Sequence, residues 1–254
     1  MSSVQTADRE GSVRVLTLDR PPANAIDETL LADLDTALDA ARAADAVRAI
    51  VVTGAGAFFS GGFNFAAPRR DAAAEQSIYM LYRSTHLKLL TFPKPTVAMV
   101  NGHAIAGGFV LALACDYRLG RDGDYRVGLN EVAVGAAFPT MAFEIVRLRV
   151  PHARASEVIL GAALYPASQA VRLGLVDELF AADVFEQTVL RRAARLAALP
   201  REAYAHAKGA LVAEAVARIE AETPEQAAQA IAVWNAPESR AARAKQRENL
   251  GVRR

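Results

Sequence analysis

The sequence predicts an α/β core followed by a helical C-terminal region. Short apolar stretches rich in β-formers alternate with helical patterns up to about residue 135, which argues for parallel pairing. Two Gly-Gly turns, Ser60-Gly61-Gly62-Phe63-Asn64 and Ala106-Gly107-Gly108-Phe109, each follow such a stretch. Beyond Pro139 the signals are almost wholly helical and the composition shifts toward alanine and arginine. We place the α/β core at residues 1–200. Residues 201–254 form a helical region for packing and oligomerisation.

Val13 to Leu18 alternates loosely and reads as a strand. Asp19 to Asn24 is a loop, because Pro21-Pro22 disfavours regular structure. Asp27 can cap a helix running to about Ala44, with Leu30, Leu31, Leu34, Leu38 and Ala41 on one face. A strand at 48–53 leads toward the first glycine turn. Residues 66–75 read as a loop and Ser77 to Leu90 as a helix ended by Phe92-Pro93-Lys94-Pro95. A strand at 96–100, the second turn and a buried helix at 108–115 echo the first unit. Helices are expected at 140–149, 152–160, 167–173, 183–197, 201–220, 224–235 and 238–249, interrupted by one short strand within 174–179.

The chain has 254 residues, enough to bury a substantial core. Its 29 basic and 28 acidic residues leave a net charge of +1, which gives no electrostatic reason to expect a nucleic-acid or anionic-membrane partner. The single cysteine, Cys115, rules out an internal disulfide and sits in an apolar run that suits a core residue. The apolar stretch Ala104 to Cys115 is too short to span a bilayer, and the N-terminus lacks a signal-peptide pattern. A soluble cytoplasmic protein is expected. Neither glycine turn matches a dinucleotide or P-loop fingerprint, and His86, His103, His152 and His206 lack metal-ligand spacing. No metal and no redox cofactor is expected.

Glycine lets a backbone approach a ligand closely, and the N–H groups at a helix start point outward with the positive end of the dipole. Two such turns can aim two N–H donors at one oxygen, as a backbone oxyanion hole. The acidic residue downstream, in Gly128-Leu129-Asn130-Glu131, supplies a candidate base. Read alone, Glu131 is first an ordinary surface or salt-bridged glutamate, and Asn24 an ordinary turn residue.

The ordered motifs Arg20-Pro-Pro-Ala-Asn-Ala-Ile26, Phe59-Ser-Gly-Gly-Phe-Asn-Phe65, Asn101-Gly-His-Ala-Ile-Ala-Gly-Gly-Phe109, Ala114-Cys-Asp-Tyr117 and Gly128-Leu-Asn-Glu-Val132 resemble the crotonase, or enoyl-CoA hydratase/isomerase, superfamily. The resemblance runs from residue 13 to about 180. It implies a core of stacked ββα units, an acyl-CoA thioester substrate with coenzyme A as part of that substrate, and a homotrimer or hexamer. By position it makes the N–H groups of Phe63 and Gly107 the oxyanion donors and Glu131 the catalytic carboxylate. It assigns Ala23, Asn24, Ala25 and Ile26 with Ser60, Gly61, Gly62 and Asn64 to the groove for coenzyme A, and adds Ala106, Val110 and Asn130 to the substrate-facing set.

Hydratases of this family carry two glutamates, and here the first of those positions is Val110. The pattern is more similar to the mitochondrial type of Δ3,Δ2-enoyl-CoA isomerase. Moving a double bond from C3–C4 to C2–C3 needs one carboxylate, which takes a proton from C2 and returns one to C4. The expected activity is therefore enoyl-CoA isomerisation. A one-glutamate hydratase and a non-catalytic acyl-CoA-binding protein remain the alternatives. Glu144 is expected to pair with Arg147 and His103 to pack. Trp234 and the basic end, Arg240 to Arg254, either cover the coenzyme A site and bind its phosphates or form a solvated helix face, the simpler of the two readings.

Overall fold

A computed structural model describes residues 2–64 and 71–249. In chain order the first half contains β1 (Val4–Arg9), β2 (Val13–Leu18), α1 (Glu28–Ala43), β3 (Ala49–Gly54), β4 (Phe58–Ser60), α2 (Ala72–Leu90), β5 (Thr96–Val100), β6 (His103–Ile105), α3 (Gly107–Ala114), β7 (Tyr117–Arg121) and β8 (Arg126–Gly128). The second half contains α4 (Thr140–Arg149), α5 (Ala155–Leu160), β9 (Leu164–Pro166), α6 (Ala167–Arg172), β10 (Glu178–Phe180), α7 (Phe185–Ala197), α8 (Arg201–Glu220), α9 (Pro224–Asn235) and α10 (Pro237–Asn249).

The strands form two sheets, one ordered β1-β2-β3-β5-β7-β10 and a smaller one ordered β4-β6-β8-β9. From β2 to β10 the larger sheet is parallel; β1 joins β2 antiparallel. Its central strands are buried on both sides, as covered parallel strands must be. Side chains alternate between the faces. Leu16, Leu18, Ile50, Val52, Ala98 and Val100 join the main core with α1, α2 and α3. Val13, Val15, Ala49, Val51, Val97 and Met99 form a second cluster closed by Phe185, Val189, Ala193 and Ala197 of α7.

Helix α1 begins where Asp27 accepts the Leu30 N–H at 3.0 Å, and it buries the expected leucine stripe. Helix α2 starts five residues before the expected Ser77, because Asp71 accepts the Ala74 N–H at 2.8 Å and the alanines that follow propagate the turn. Of the loop expected at 66–75, residues 66–70 lie outside the described residues. The strand expected within 174–179 occupies Glu178–Phe180 instead, and pairs with β7. Helix α8 buries Val212, Ala215 and Ile219 against the core. Lys208 on the same helix meets Asp116 at 2.9 Å, and Tyr204 donates to that carboxylate at 2.9 Å. The C-terminal helices thus begin by packing on the core of their own chain. Cys115 is buried, and burial pushes its thiol up to about 12. No described helix is long and apolar enough to cross a membrane.

Candidate active site

In the smaller sheet β4, β6 and β8 run parallel and release the chain at one edge. Phe63 lies three residues past the end of β4, Gly107 two past β6 and Glu131 three past β8. The carboxyl ends of parallel strands are where open α/β sheets bind ligands. The three residues singled out in the sequence therefore converge because their strands are neighbours.

The first glycine turn is laced to residues 23–26. Gly61 N–H donates to Ala23 C=O at 2.8 Å, Ile26 N–H to Gly62 C=O at 2.8 Å, and Asn64 N–H to Ile26 C=O at 3.0 Å. Phe63 faces Ile26 in a parallel bridge. In that pairing the flanking groups of Gly62 and Asn64 bond to Ile26, so the Phe63 N–H points the other way. Asn24 is buried with φ +50, and its amide donates to Phe58 C=O at 2.8 Å and Ala55 C=O at 3.0 Å. The Ser60 hydroxyl donates to Asn24 C=O at 2.7 Å. Both side chains shape the backbone of the turn and are turned inward.

The second turn is pinned from the other side. Ala106 N–H donates to Gly128 C=O at 2.9 Å, tying the turn to the strand that leads to Glu131. Ala106 holds φ +51 and ψ −130, a conformation costly for a residue with a side chain. Gly107 opens α3, so its N–H has no acceptor within the helix. The two turns touch: a methyl group on Gly62 would lie 2.8 Å from Ile105 C=O and 3.4 Å from Gly107 N. One on Gly108 would lie 2.4 Å from Ser60 C=O. Glycine is required at both positions for the turns to meet.

A cavity of about 350 Å³ opens above them. Phe63, Asn64, Ala106, Gly107 and Glu131 line it, with Tyr79 and Tyr82 of α2 and Trp234, Arg240 and Arg243 of the C-terminal helices. Ala23, Asn24, Ala25, Ile26, Ser60, Gly61, Gly62 and Asn130 do not line it. Most of these sit behind the turn, and Asn130 C=O accepts the Val134 N–H at 3.1 Å. Val110 is fully buried in the core and forms no part of the cavity wall.

Glu131 is 7 % exposed, and burial lifts its carboxyl from the ordinary 4.5 to about 8. Among the described residues its Oε2 has no hydrogen-bond partner. The other buried or cavity carboxylates are engaged. Asn235 donates to Glu75 at 2.6 Å, and Glu144 pairs with Arg147 at 3.1 Å and Arg218 at 2.5 Å. His103 packs on Phe58 with ring centroids 4.8 Å apart and accepts the Arg126 N–H, as a packing residue would.

Trp234 and the basic residues after it, expected either over the coenzyme A site or on a solvated face, line the cavity through Trp234, Arg240 and Arg243. Trp234 and Arg243 do not form a solvated face. Trp234 lies 6.0 Å from the Phe63 ring, and Arg243 stacks 3.9 Å over Trp234 while donating to Gly135 C=O at 3.2 Å. The lone tryptophan among alanines of α9 was the available signal. Among the described residues no group of three or more His, Cys, Asp or Glu is placed to hold a metal ion.

The enoyl-CoA hydratase/isomerase family model matches residues 8–247. A putative enoyl-CoA hydratase of Thermus thermophilus is 38% identical over 176 residues, covering 67% of this chain and 68% of that protein. The 2,3-dehydroadipyl-CoA hydratase of Escherichia coli is 31% identical over 194 residues, 74% of each. A Mycobacterium tuberculosis protein, described as an enoyl-CoA isomerase in one solved structure and as a probable enoyl-CoA hydratase in another, superposes in the first with a TM-score of 0.81 at 28% identity, covering 91% of this chain and 98% of that one. Human mitochondrial Δ3,Δ2-enoyl-CoA isomerase superposes with a TM-score of 0.93 over 98% of both chains; at 22% identity that likeness is one of fold. The chain belongs to the enoyl-CoA hydratase/isomerase family of the crotonase superfamily, and is an enzyme of that family.

Proposed function

We propose that the protein shifts a Δ3 double bond to Δ2 in enoyl-CoA thioesters, with Glu131 as the only acid–base group. The observation that carries this reading is the buried Glu131 carboxylate on the cavity wall beside the two glycine turns, whose Oε2 has no hydrogen-bond partner among the described residues. Its ionised form takes a proton from C2. The electron pair moves onto the thioester oxygen, where the N–H groups of Phe63 and Gly107 stabilise the negative charge of the dienolate. The Glu131 carboxylic acid then returns the proton to C4, the double bond settles between C2 and C3, and the carboxylate is restored. A pKa near 8 suits both halves of this cycle, because the group takes and gives the proton at similar cost near neutrality.

Hydration of 2-enoyl-CoA is the second reading, favoured by the names of several relatives. It asks for a group that positions and activates water opposite Glu131. Val110, where the family's hydratases have a second glutamate, is buried in the core. Rates on 3-enoyl-CoA and 2-enoyl-CoA, measured in parallel at several chain lengths, separate the readings. Faster isomerisation supports the proposal; faster hydration at every length replaces it with the second.

A further inference from the structure

Tyr82 lines the cavity beside the glycine turns, and the mechanism above leaves its chemistry unused. It projects from the middle of α2 and is 2 % exposed. Its ring is held on two sides, 4.8 Å from the Phe63 ring and 4.1 Å from the His86 ring. His86 is itself fixed, its Nδ1–H donating to Tyr82 C=O at 2.8 Å across one helical turn. The phenol is therefore held rigidly, and its oxygen reaches the second glycine turn. A methyl group on Gly107 would lie 3.2 Å from the Tyr82 hydroxyl and 3.5 Å from both Phe63 Cδ2 and Ile26 Cδ1. The side chain is almost wholly buried, it lines the cavity, and among the described residues no hydrogen bond engages its hydroxyl.

A hydroxyl that faces a cavity with no protein group engaging it is open to a ligand bound there. This one lies against the glycine whose N–H is assigned to the thioester oxygen. We propose that the Tyr82 hydroxyl is a third donor to that oxygen, completing the oxyanion hole from the side-chain face while Phe63 and Gly107 donate from the backbone. The inference rests on the acyl-CoA reading given above. Burial and the nearby charge of Glu131 hold the phenol's pKa well above its ordinary value, so it remains a proton donor throughout the working pH range. It donates a hydrogen bond and transfers no proton, so the cycle's balance is unchanged. A rigid donor that meets charge as it develops contributes more in the transition state than in the ground state.

The test is Tyr82→Phe, which keeps the ring contacts with Phe63 and His86. Isomerisation of 3-enoyl-CoA is measured across pH 6 to 9. The carbonyl stretch of bound 2-enoyl-CoA, labelled with ¹³C at the thioester carbon, is measured in wild type and variant. The expected result is a fall in kcat of about 10²-fold, the scale of one lost oxyanion donor. KM changes little, the pH midpoint stays in place, and the bound carbonyl stretch moves back toward its value in water. Unchanged kcat and carbonyl stretch in an active wild-type background would overturn the inference and leave the isomerase reading standing. A shifted pH midpoint with the rate recovered at high pH would also overturn it, assigning the hydroxyl to Glu131 instead. If wild type neither isomerises 3-enoyl-CoA nor shifts the carbonyl of the bound thioester, the reading beneath the inference fails with it.

Discussion

Replacing Glu131 by glutamine should remove activity and make the protein more stable at alkaline pH. Burial raises the Glu131 carboxyl from 4.5 to about 8. Between those values the folded state holds a proton that the unfolded state has released, so stability falls as pH rises through the window. Below pH 4.5 both states are protonated and the group costs nothing; above 8 the full cost of the buried charge is present. At 1.36 kcal/mol per pH unit, the rise from 4.5 to about 8 gives a ceiling of about 5 kcal/mol. Relaxation around a buried ion still leaves a penalty of several kcal/mol. Glutamine keeps the shape and never ionises. The expected gain over wild type is therefore near zero at pH 5 and about 2–5 kcal/mol at pH 9. Urea denaturation of both proteins, at pH 5 and pH 9 and one fixed protein concentration, reads this difference directly. Other titrating groups cancel, because each comparison is made at one pH. A difference that is the same at both pH values, or a glutamine variant less stable than wild type at pH 9, would refute the reasoning.

Because the base must be ionised to start the cycle, kcat/KM for 3-enoyl-CoA should rise about tenfold per pH unit below 8 and level above it; a profile flat from pH 6 to 9 would contradict this. Gly62→Ala should cost about 1–3 kcal/mol, since Gly62 holds φ +80 and the added methyl would strike Ile105 C=O, and it should lower kcat by displacing the Phe63 N–H. Wild-type kcat and an unchanged urea midpoint would argue against that contact. Sedimentation at micromolar concentration should give three or six times the 27.1 kDa chain mass, with Leu160, Leu211 and Met80 among the exposed apolar groups available for contact; a monomer would refute this.

The elements legible in the sequence were those whose pattern extends over several turns or alternations. The stripe Leu30-Leu31-Leu34-Leu38 and the caps around it placed α1, and the long helices α7 to α10 were readable from their ends. Strand β1 was not, because Val4 is its one buried side chain and the rest, apart from the small Ala7, is polar. Strands β4, β6, β8 and β9 have three residues each, too few for a period to show. Yet three of those short strands set the site. The sequence located Phe63, Gly107 and Glu131 through the motifs beside them, but not the parallel register that makes them neighbours. It also missed Tyr82, and it named Trp234 without the ring contact that joins α9 to Phe63 far away in the chain. Val110 marks a different limit. Its position in a motif named a wall residue, whereas α3 is buried all round and turns that side chain into the core.

The central claim is that one carboxylate, Glu131, moves the proton. The isomerisation rate of Glu131→Gln on 3-enoyl-CoA at pH 8, with thioester binding measured alongside, tests it most directly. A general base contributes about 10²- to 10⁴-fold, so a loss of that size with binding intact is expected. A variant that keeps more than about a tenth of the wild-type rate would lie outside that range and contradict the claim.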